Sequence, residues 1–132
     1  MKKKVLTVDD EYQVREIIST MLQEHDYVPL QAKNGEEALK VIKEENPDLI
    51  ILDVLMPGKS GIKLYRELKT NPSLQKIPVL ICSGIARRTF LRTHAVPSKL
   101  GQESVPAPEA YMEKPVKPEA LARMIGKLLG DA

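Results

Sequence analysis

DLIILDVLMPG, residues 48–58, is the stretch that decides the fold. Its apolar half is too short to span a membrane and is rich in branched residues, which is typical of a strand buried on both faces of a parallel sheet. Asp53 stands where the apolar run ends, and Pro57 and Gly58 then turn the chain away. Because a charge at the rim of a core costs free energy to desolvate, we expect Asp53 to be the working residue of the protein.

Length and composition indicate one globular domain over residues 1–132. Of these residues 42% are hydrophobic and 29% are charged, and the formal net charge is +2. A net charge this small argues against direct binding of nucleic acid or of a membrane surface. The sequence has no apolar stretch long enough to span a membrane and no signal-peptide core, so a cytoplasmic location is expected.

Cys82 is the single cysteine of the chain. One cysteine can form neither an internal disulfide nor a cysteine-rich zinc site. Because it lies in the apolar run 79–82, we expect a buried, inert thiol rather than a nucleophile.

Apolar runs alternate with amphipathic stretches on both sides of the central strand. Strands are predicted at 4–8, 27–32, 49–52, 77–84 and 111–115, and helices at 12–25, 36–45, 60–69 and 118–129. In the first helix, Ile17 is among the apolar residues expected to face the core. Pro29 indicates that the second strand lies at an edge of the sheet, because proline cannot donate a ladder hydrogen bond. Strands that alternate with helices at this spacing predict right-handed βαβ units, an α/β fold and a parallel sheet.

Charged or hydroxyl side chains stand at four strand ends: Asp9 and Asp10 after the first strand, Asp53 after the third, Ser83 at the end of the fourth and Lys114 at the end of the fifth. The carboxyl ends of parallel strands form one edge of an open sheet, so these side chains are expected to converge. Three carboxylates that lie close together repel one another unless a cation lies between them. Oxygen ligands without clustered histidine or cysteine favour Mg²⁺ that keeps some of its waters.

Such a site suits the transfer of a phosphoryl group. The carboxylate of Asp53 could attack phosphorus and form an acyl phosphate. The metal and Lys114 would neutralise charge on the phosphoryl group, and the Ser83 hydroxyl could hydrogen-bond to one of its oxygens.

The set of motifs resembles the receiver domain of two-component response regulators, in order and over essentially the whole chain. The motifs are Asp9-Asp10-Glu11, Asp53 with Met56-Pro57 and Gly61, Ser83-Gly84, and Lys114-Pro115. The resemblance implies a flavodoxin-like (βα)5 fold, with a doubly wound five-stranded parallel sheet in the order 2-1-3-4-5. It also implies a cis peptide bond between Lys114 and Pro115.

The same resemblance implies a role for each site residue. These roles are phosphoacceptor for Asp53, Mg²⁺ ligands for Asp9, Asp10, Asp53 and the backbone carbonyl of Leu55, switch hydroxyl for Ser83, phosphoryl-binding cation for Lys114, and aromatic switch for Tyr111. The implied protein is a phosphorylation-dependent signalling switch that catalyses its own phosphotransfer and slow autodephosphorylation, and is otherwise not an enzyme.

The implied phosphodonor is a phosphohistidine on a sensor histidine kinase or a histidine phosphotransfer protein. The downstream protein or output domain is not specified by the sequence, and the resemblance allows a phosphorylation-dependent homodimer. After Lys117 only the last helix remains, so no output domain is expected within this sequence.

The chain departs from the family between its fourth and fifth strands. Ser83 and Lys114 are 31 positions apart (114 − 83), several more than an ordinary receiver needs, and the extra residues fall in the proline-containing part, 96–110. Two helical turns at 87–94 are expected, followed by a loop, so a continuous helix over 95–103 would contradict this expectation. The apolar residues Leu55 and Ile85 stand two positions after Asp53 and Ser83, where they could hinder water, and slow self-dephosphorylation is therefore expected.

Other interpretations of these residues stay open. The main alternative is a phosphorylation-independent protein-interaction module on the same fold. A further alternative is an aspartate-nucleophile phosphohydrolase, although Leu55 stands where such enzymes usually carry a second aspartate. Tyr111 could serve packing alone. The basic patch of Arg87, Arg88 and Arg92 could be a solvated face or a partner site.

Overall fold

Five strands alternate with five helices in the computed structural model, which describes residues 1–56, 60–92 and 105–130. The elements are β1 Lys4–Val8, α1 Tyr12–Glu24, β2 Val28–Ala32, α2 Gly35–Glu45, β3 Leu49–Leu52, α3 Ser60–Thr70, β4 Val79–Ser83, α4 Arg87–Phe90, β5 Ala110–Glu113 and α5 Pro118–Leu129. The predicted alternation of strands and helices is therefore confirmed.

The strands form one parallel sheet in the order β2-β1-β3-β4-β5, as predicted. The central strand β3 is fully buried because both faces of the sheet are covered. Ile50 and Leu52 pack with residues of α2 and α3, whereas Leu49 and Ile51 pack with residues of α1 and α5. Pro29 lies in the edge strand β2, which confirms the edge position expected for it.

Local sequence signals set the ends of several helices. The Asn34 side chain accepts a hydrogen bond from the Glu37 N–H at 2.8 Å and caps α2. Asn46 ends the same helix with a φ of 49°, a left-handed conformation that asparagine tolerates. Pro118 occupies the first turn of α5, where its missing N–H costs no helical hydrogen bond. Most predicted bounds agree with the structure to within one or two residues.

The prediction that Ile17 faces the core is wrong. Its relative exposure is 61%, whereas Ile18, Met21 and Leu22 of the same helix are buried. Ile17 lies on the flank of α1 that faces an open groove towards the start of α5, so neither the sheet nor α5 covers it.

Three other predictions concern the second half of the chain. Strand β5 ends at Glu113, so Lys114 follows the strand instead of closing it. Helix α4 spans Arg87–Phe90 and Leu91 keeps helical dihedral angles, whereas the end of the turns predicted at 87–94 falls outside the described residues. The expectation for 95–103 falls outside the described residues. No helix in the described ranges is long and apolar enough to cross a membrane.

Candidate phosphoryl-acceptor site

Backbone hydrogen bonds hold two acidic residues at the carboxyl edge of the sheet. The Asp53 N–H donates to the Val8 carbonyl at 3.0 Å, and the Asp9 N–H donates to the Ala32 carbonyl at 3.1 Å. These bonds continue the strand ladders by one residue beyond β3 and β1. As a result the Asp53 and Asp9 side chains are 7% and 4% exposed, whereas Asp10 is exposed.

Lys114 joins the two buried acids. Its Nζ atom lies 2.9 Å from Asp9 Oδ2 and 3.0 Å from Asp53 Oδ2, and its backbone N–H donates to the Ser83 carbonyl at 2.9 Å. Burial alone lowers the pKa of Lys114, but hydrogen bonds and charge from Asp9 and Asp53 outweigh burial and raise that pKa above its ordinary value. The ammonium group is therefore held charged between the two carboxylates. The predicted cis bond between Lys114 and Pro115 is confirmed.

The second oxygen of each buried carboxylate is held by its own loop. Asp53 Oδ1 accepts the Leu55 N–H at 2.8 Å, and Asp9 Oδ1 accepts the Glu11 N–H at 2.9 Å. Each carboxylate thus has one oxygen fixed by backbone and the other bonded to Lys114. This pattern fixes the orientation of both acids before any ligand arrives.

The acidic cluster suits a hard divalent cation. Asp9, Asp10 and Asp53 each offer a carboxylate oxygen, and these oxygens all lie within 4.8 Å of one another. Three carboxylates and the Lys114 ammonium carry a formal charge of −2 together (−3 + 1). An oxygen-only donor set with this excess charge matches the ligand preference of Mg²⁺. The Leu55 N–H donates to Asp53, whereas the role of the Leu55 carbonyl as a metal ligand stays a prediction.

Gly61 explains one of the motif positions in physical terms. A Cβ atom added there would lie 2.7 Å from Val54 Cα and 2.8 Å from the carbonyl oxygens of Asp53 and Val54. Only glycine lets the first turn of α3 approach the chain after β3 this closely. Gly61 therefore supports the loop that carries Asp53.

Ser83 and Tyr111 meet at the chain segment that follows β4. Ser83 is fully buried, and its Oγ atom accepts the Ile85 N–H at 3.3 Å. The Tyr111 hydroxyl donates to the Ile85 carbonyl at 2.6 Å. Burial raises the pKa of Tyr111, and hydrogen bonding with Ser83 lowers it in part. The two predicted switch residues therefore hold opposite sides of the same peptide segment.

An aromatic row next to Tyr111 was not predicted from the sequence. The Phe90 ring centroid lies 5.4 Å from that of Tyr111 and 5.1 Å from that of Tyr65. The available signal was that Phe90, the only phenylalanine of the chain, lies between Arg88 and Arg92 in the two helical turns expected at 87–94. The ion pair between the buried Lys69 and Glu109 also went unpredicted, because the two residues are 40 positions apart.

An apolar groove of about 470 Å³ opens beside Lys114 and Pro115, between α1 and the start of α5. Ile17 lines this groove, and Tyr12 and Leu55 are further apolar side chains exposed at 63% and 54%. Cys82 also lines it but is 4% exposed, and burial raises its thiol pKa to about 12, which confirms the prediction of a buried thiol. The site therefore has an apolar surface next to its charged centre.

Comparison with known proteins gives the family. Residues 5–126 match the response regulator receiver domain. The probable transcriptional regulator ycf27 of Cyanophora paradoxa is 35% identical over 129 residues, which are 97% of this chain and 48% of that protein. The chain spans about half the length of the ycf27 relatives that it matches.

Two solved structures have the same architecture. The chemotaxis response regulator CheY4 of Vibrio cholerae gives a TM-score of 0.80 at 26% identity, over 98% of this chain and 100% of that chain. The response regulator TrrA of Thermotoga maritima, solved in complex with Mg²⁺–BeF, gives a TM-score of 0.76 at 31% identity, over 96% and 99%. With the strand order and a family match over residues 5–126, the predicted resemblance is confirmed: the chain belongs to the response regulator receiver domains of two-component systems.

Proposed function

We propose that this receiver is a phosphorylation-dependent signalling switch in which Asp53 accepts the phosphoryl group. The observation that carries the proposal is Lys114, whose ammonium group lies between the carboxylates of Asp9 and Asp53. A buried acid that is already paired with a cation and has an acidic pair beside it matches the needs of phosphoryl transfer. We propose that the described residues form one receiver domain whose function depends on this single site.

In the transfer step, a carboxylate oxygen of Asp53 forms a P–O bond while the P–N bond of a phosphohistidine breaks. The imidazole leaves with the electron pair of the P–N bond and then takes a proton from solvent. Lys114 is close enough to exchange one of its carboxylate partners for an oxygen of the phosphoryl group. Asp9, Asp10, Asp53 and the Leu55 carbonyl would hold Mg²⁺, which would supply positive charge to the phosphoryl oxygens.

Phosphorylation changes what Ser83 and Lys114 can bind. The phosphoryl group adds a charge of about −1.5 to −2 and three acceptor oxygens. Ser83 accepts a hydrogen bond from Ile85, and its own O–H would turn from Tyr111 to donate to a phosphoryl oxygen. Movement of Ser83 would shift Ile85, whose carbonyl holds Tyr111, and this shift would bias the face around β4, α4 and β5.

The phosphodonor would come from a sensor histidine kinase or a histidine phosphotransfer protein. The donor protein would contact the apolar groove beside Lys114 and Pro115, where Ile17 is exposed. Exposed apolar side chains around a charged centre offer contact area without blocking Asp53. We further propose a cytoplasmic protein that turns over no free metabolite.

Incubation with acetyl phosphate and Mg²⁺, read by intact mass, tests the function. We expect the wild type to gain the mass of one phosphoryl group and Asp53→Asn to gain none. Asp26→Asn is a matched control, because Asp26 is exposed and its φ of 63° is one that asparagine adopts easily. An unmodified wild type would contradict the proposal and favour the phosphorylation-independent interaction module.

A further inference from the structure

Three aromatic side chains from three elements form a continuous row. Tyr65 of α3 and Phe90 of α4 are fully buried, with their ring centroids 5.1 Å apart and their planes at 74°. Phe90 contacts Tyr111 of β5 on its other side, with the centroids 5.4 Å apart and the planes at 44°. Phe90 is therefore the link between the two tyrosines.

One end of the row lies at the switch. The Tyr111 hydroxyl bonds to the carbonyl of Ile85, two residues after Ser83. The Tyr111 ring can leave this position only by changing its contact with Phe90. In a close-packed core such a change leaves unfilled space, so neighbouring rings move together or not at all.

The other end lies at the chain that leads into β5. The Tyr65 hydroxyl donates to the Pro106 carbonyl, and Val105 beside it is 1% exposed. Tyr65 therefore connects the row to residues 105–109, part of the segment 96–110 in which the chain is expected to exceed the ordinary receiver length.

An ion pair between a buried lysine and a partly exposed glutamate anchors the same residues to α3. Lys69 is 3% exposed, and its Nζ atom lies 2.7 Å from Glu109 Oε2. Glu109 Oε1 also accepts the N–H of Val79, the first residue of β4, at 2.7 Å. Residues 105–109 are thus bonded to α3 and to the start of β4, so a change in the packing of α3 would reach them directly.

We propose that Phe90 is a positioning residue for Tyr111, and that the row Tyr65–Phe90–Tyr111 couples the state of Asp53 to residues 105–109. This inference rests on the proposed function, because phosphorylation of Asp53 is the event that shifts the row. It adds residues 105–109 as the segment that responds. Packed interfaces have discrete arrangements, which lets a small shift at Ser83 select between two packings of the row. Coupling is reciprocal, so a ligand held at 105–109 would change the affinity of the Asp53 site for a phosphoryl mimic such as beryllofluoride.

Hydrogen exchange with mass spectrometry on the full chain tests the coupling, with beryllofluoride and Mg²⁺ as the phosphoryl mimic. Exchange in peptides that contain Asp53 and Ser83 reports binding, and exchange in the peptide that contains 105–109 reports the coupling. We expect the wild-type exchange rate at 105–109 to change by about fivefold or more on binding, the lower end of ordinary allosteric coupling.

Two variants separate the row from the rest of the fold. Phe90→Leu removes the ring but keeps an apolar side chain, and Tyr65→Phe removes only the hydroxyl that bonds to Pro106. Both are expected to bind beryllofluoride and to lose the response at 105–109. In ¹³C-tyrosine spectra, the Tyr111 resonance is expected to move in Phe90→Leu. Tyr12→Phe, an exposed position, is the control and should respond as the wild type does.

The outcomes distinguish this inference from the proposed function. If beryllofluoride alters the Asp53 and Ser83 peptides but leaves 105–109 unchanged, the coupling is wrong and the function stands. If both variants keep the wild-type response, Phe90 and Tyr65 are not its carriers and the inference is overturned. If Phe90→Leu fails to fold, Tyr65→Phe alone decides. If the wild type does not bind beryllofluoride, the inference falls, and the acetyl phosphate experiment shows whether the function falls too.

Discussion

The ammonium group of Lys114 lies 3.0 Å from Oδ2 of Asp53 and 2.9 Å from Oδ2 of Asp9. The cation that follows β5 therefore bridges the acids that follow β3 and β1. This bridge also balances the charge of two carboxylates whose side chains are only 7% and 4% exposed. The same contact therefore bears on stability and on chemistry.

Lys114→Met is expected to lower the free energy of unfolding by about 1–3 kcal/mol, less than full loss of a buried pair because the Lys114 side chain is 28% exposed. Removal of the ammonium leaves Asp9 and Asp53 facing each other without a counter-charge. Urea denaturation in the absence of divalent cations measures the loss. Lys117→Met, at an exposed position beside it, is the control, and equal losses for the two variants would contradict the prediction.

The contribution of Lys114 is expected to depend on pH. Its pKa is raised in the folded state above the ordinary value of 10.5, so its stabilisation is complete below that value and is lost as the pH rises through the higher folded value. The stability difference between wild type and Lys114→Met should therefore be constant at neutral pH and shrink only in strongly alkaline solution. A difference that already disappears near neutral pH would show that the pair does not stabilise the fold.

Mg²⁺ is expected to stabilise the chain through the acidic cluster. A ligand present at 100 times its dissociation constant adds about 2.7 kcal/mol to the free energy of unfolding. Asp10→Asn should abolish most of the Mg²⁺-dependent rise in melting temperature with little effect on the metal-free melting temperature, because Asp10 is exposed. Glu11→Gln, the exposed neighbour, is the control. A Mg²⁺ response that survives in Asp10→Asn would remove Asp10 from the ligand set.

Gly61→Ala is expected to destabilise the domain by about 1–3 kcal/mol, because the added methyl group overlaps the backbone at Val54 and Asp53. It should also slow phosphorylation by acetyl phosphate, since the carbonyl it displaces belongs to Asp53. Gly84→Ala is a matched control, as its methyl group would meet only the Leu55 side chain at an ordinary 3.5 Å. Similar behaviour of the two variants would mean that the close approach of α3 is unimportant.

Loss of the phosphoryl group from Asp53 is expected to be slow and to be faster in Ile85→Glu. Leu55 is 54% exposed and Ile85 is half-buried, so both can limit where water reaches the acyl phosphate. Intact mass followed over time after removal of the donor gives the decay rate. Ile85→Val, which keeps an apolar side chain, should decay as the wild type does. No difference between Ile85→Glu and wild type would refute the idea.

The sheet and its acidic edge could be predicted because they depend on local patterns. The acids directly follow the apolar runs of β1 and β3 in the sequence. A parallel sheet then places the carboxyl ends of these strands at the same edge. The contacts made by Lys69 and Phe90 could not be predicted, because the partners Glu109, Tyr65 and Tyr111 lie far from them in the sequence and local patterns do not encode such contacts. Ile17 has the spacing of a core residue, but exposure depends on whether a neighbouring helix covers it, which periodicity does not encode.

Cys82 has a practical consequence for measuring the proposed switch. It is the only native thiol, its burial leaves it 4% exposed, and its pKa of about 12 keeps it protonated at neutral pH. Thiol-directed dyes react with the thiolate, so they should leave the native chain almost unlabelled. A cysteine introduced at the exposed position Arg88 would then carry a fluorophore beside the aromatic row, and the signalling state could be followed in real time without replacing any core residue.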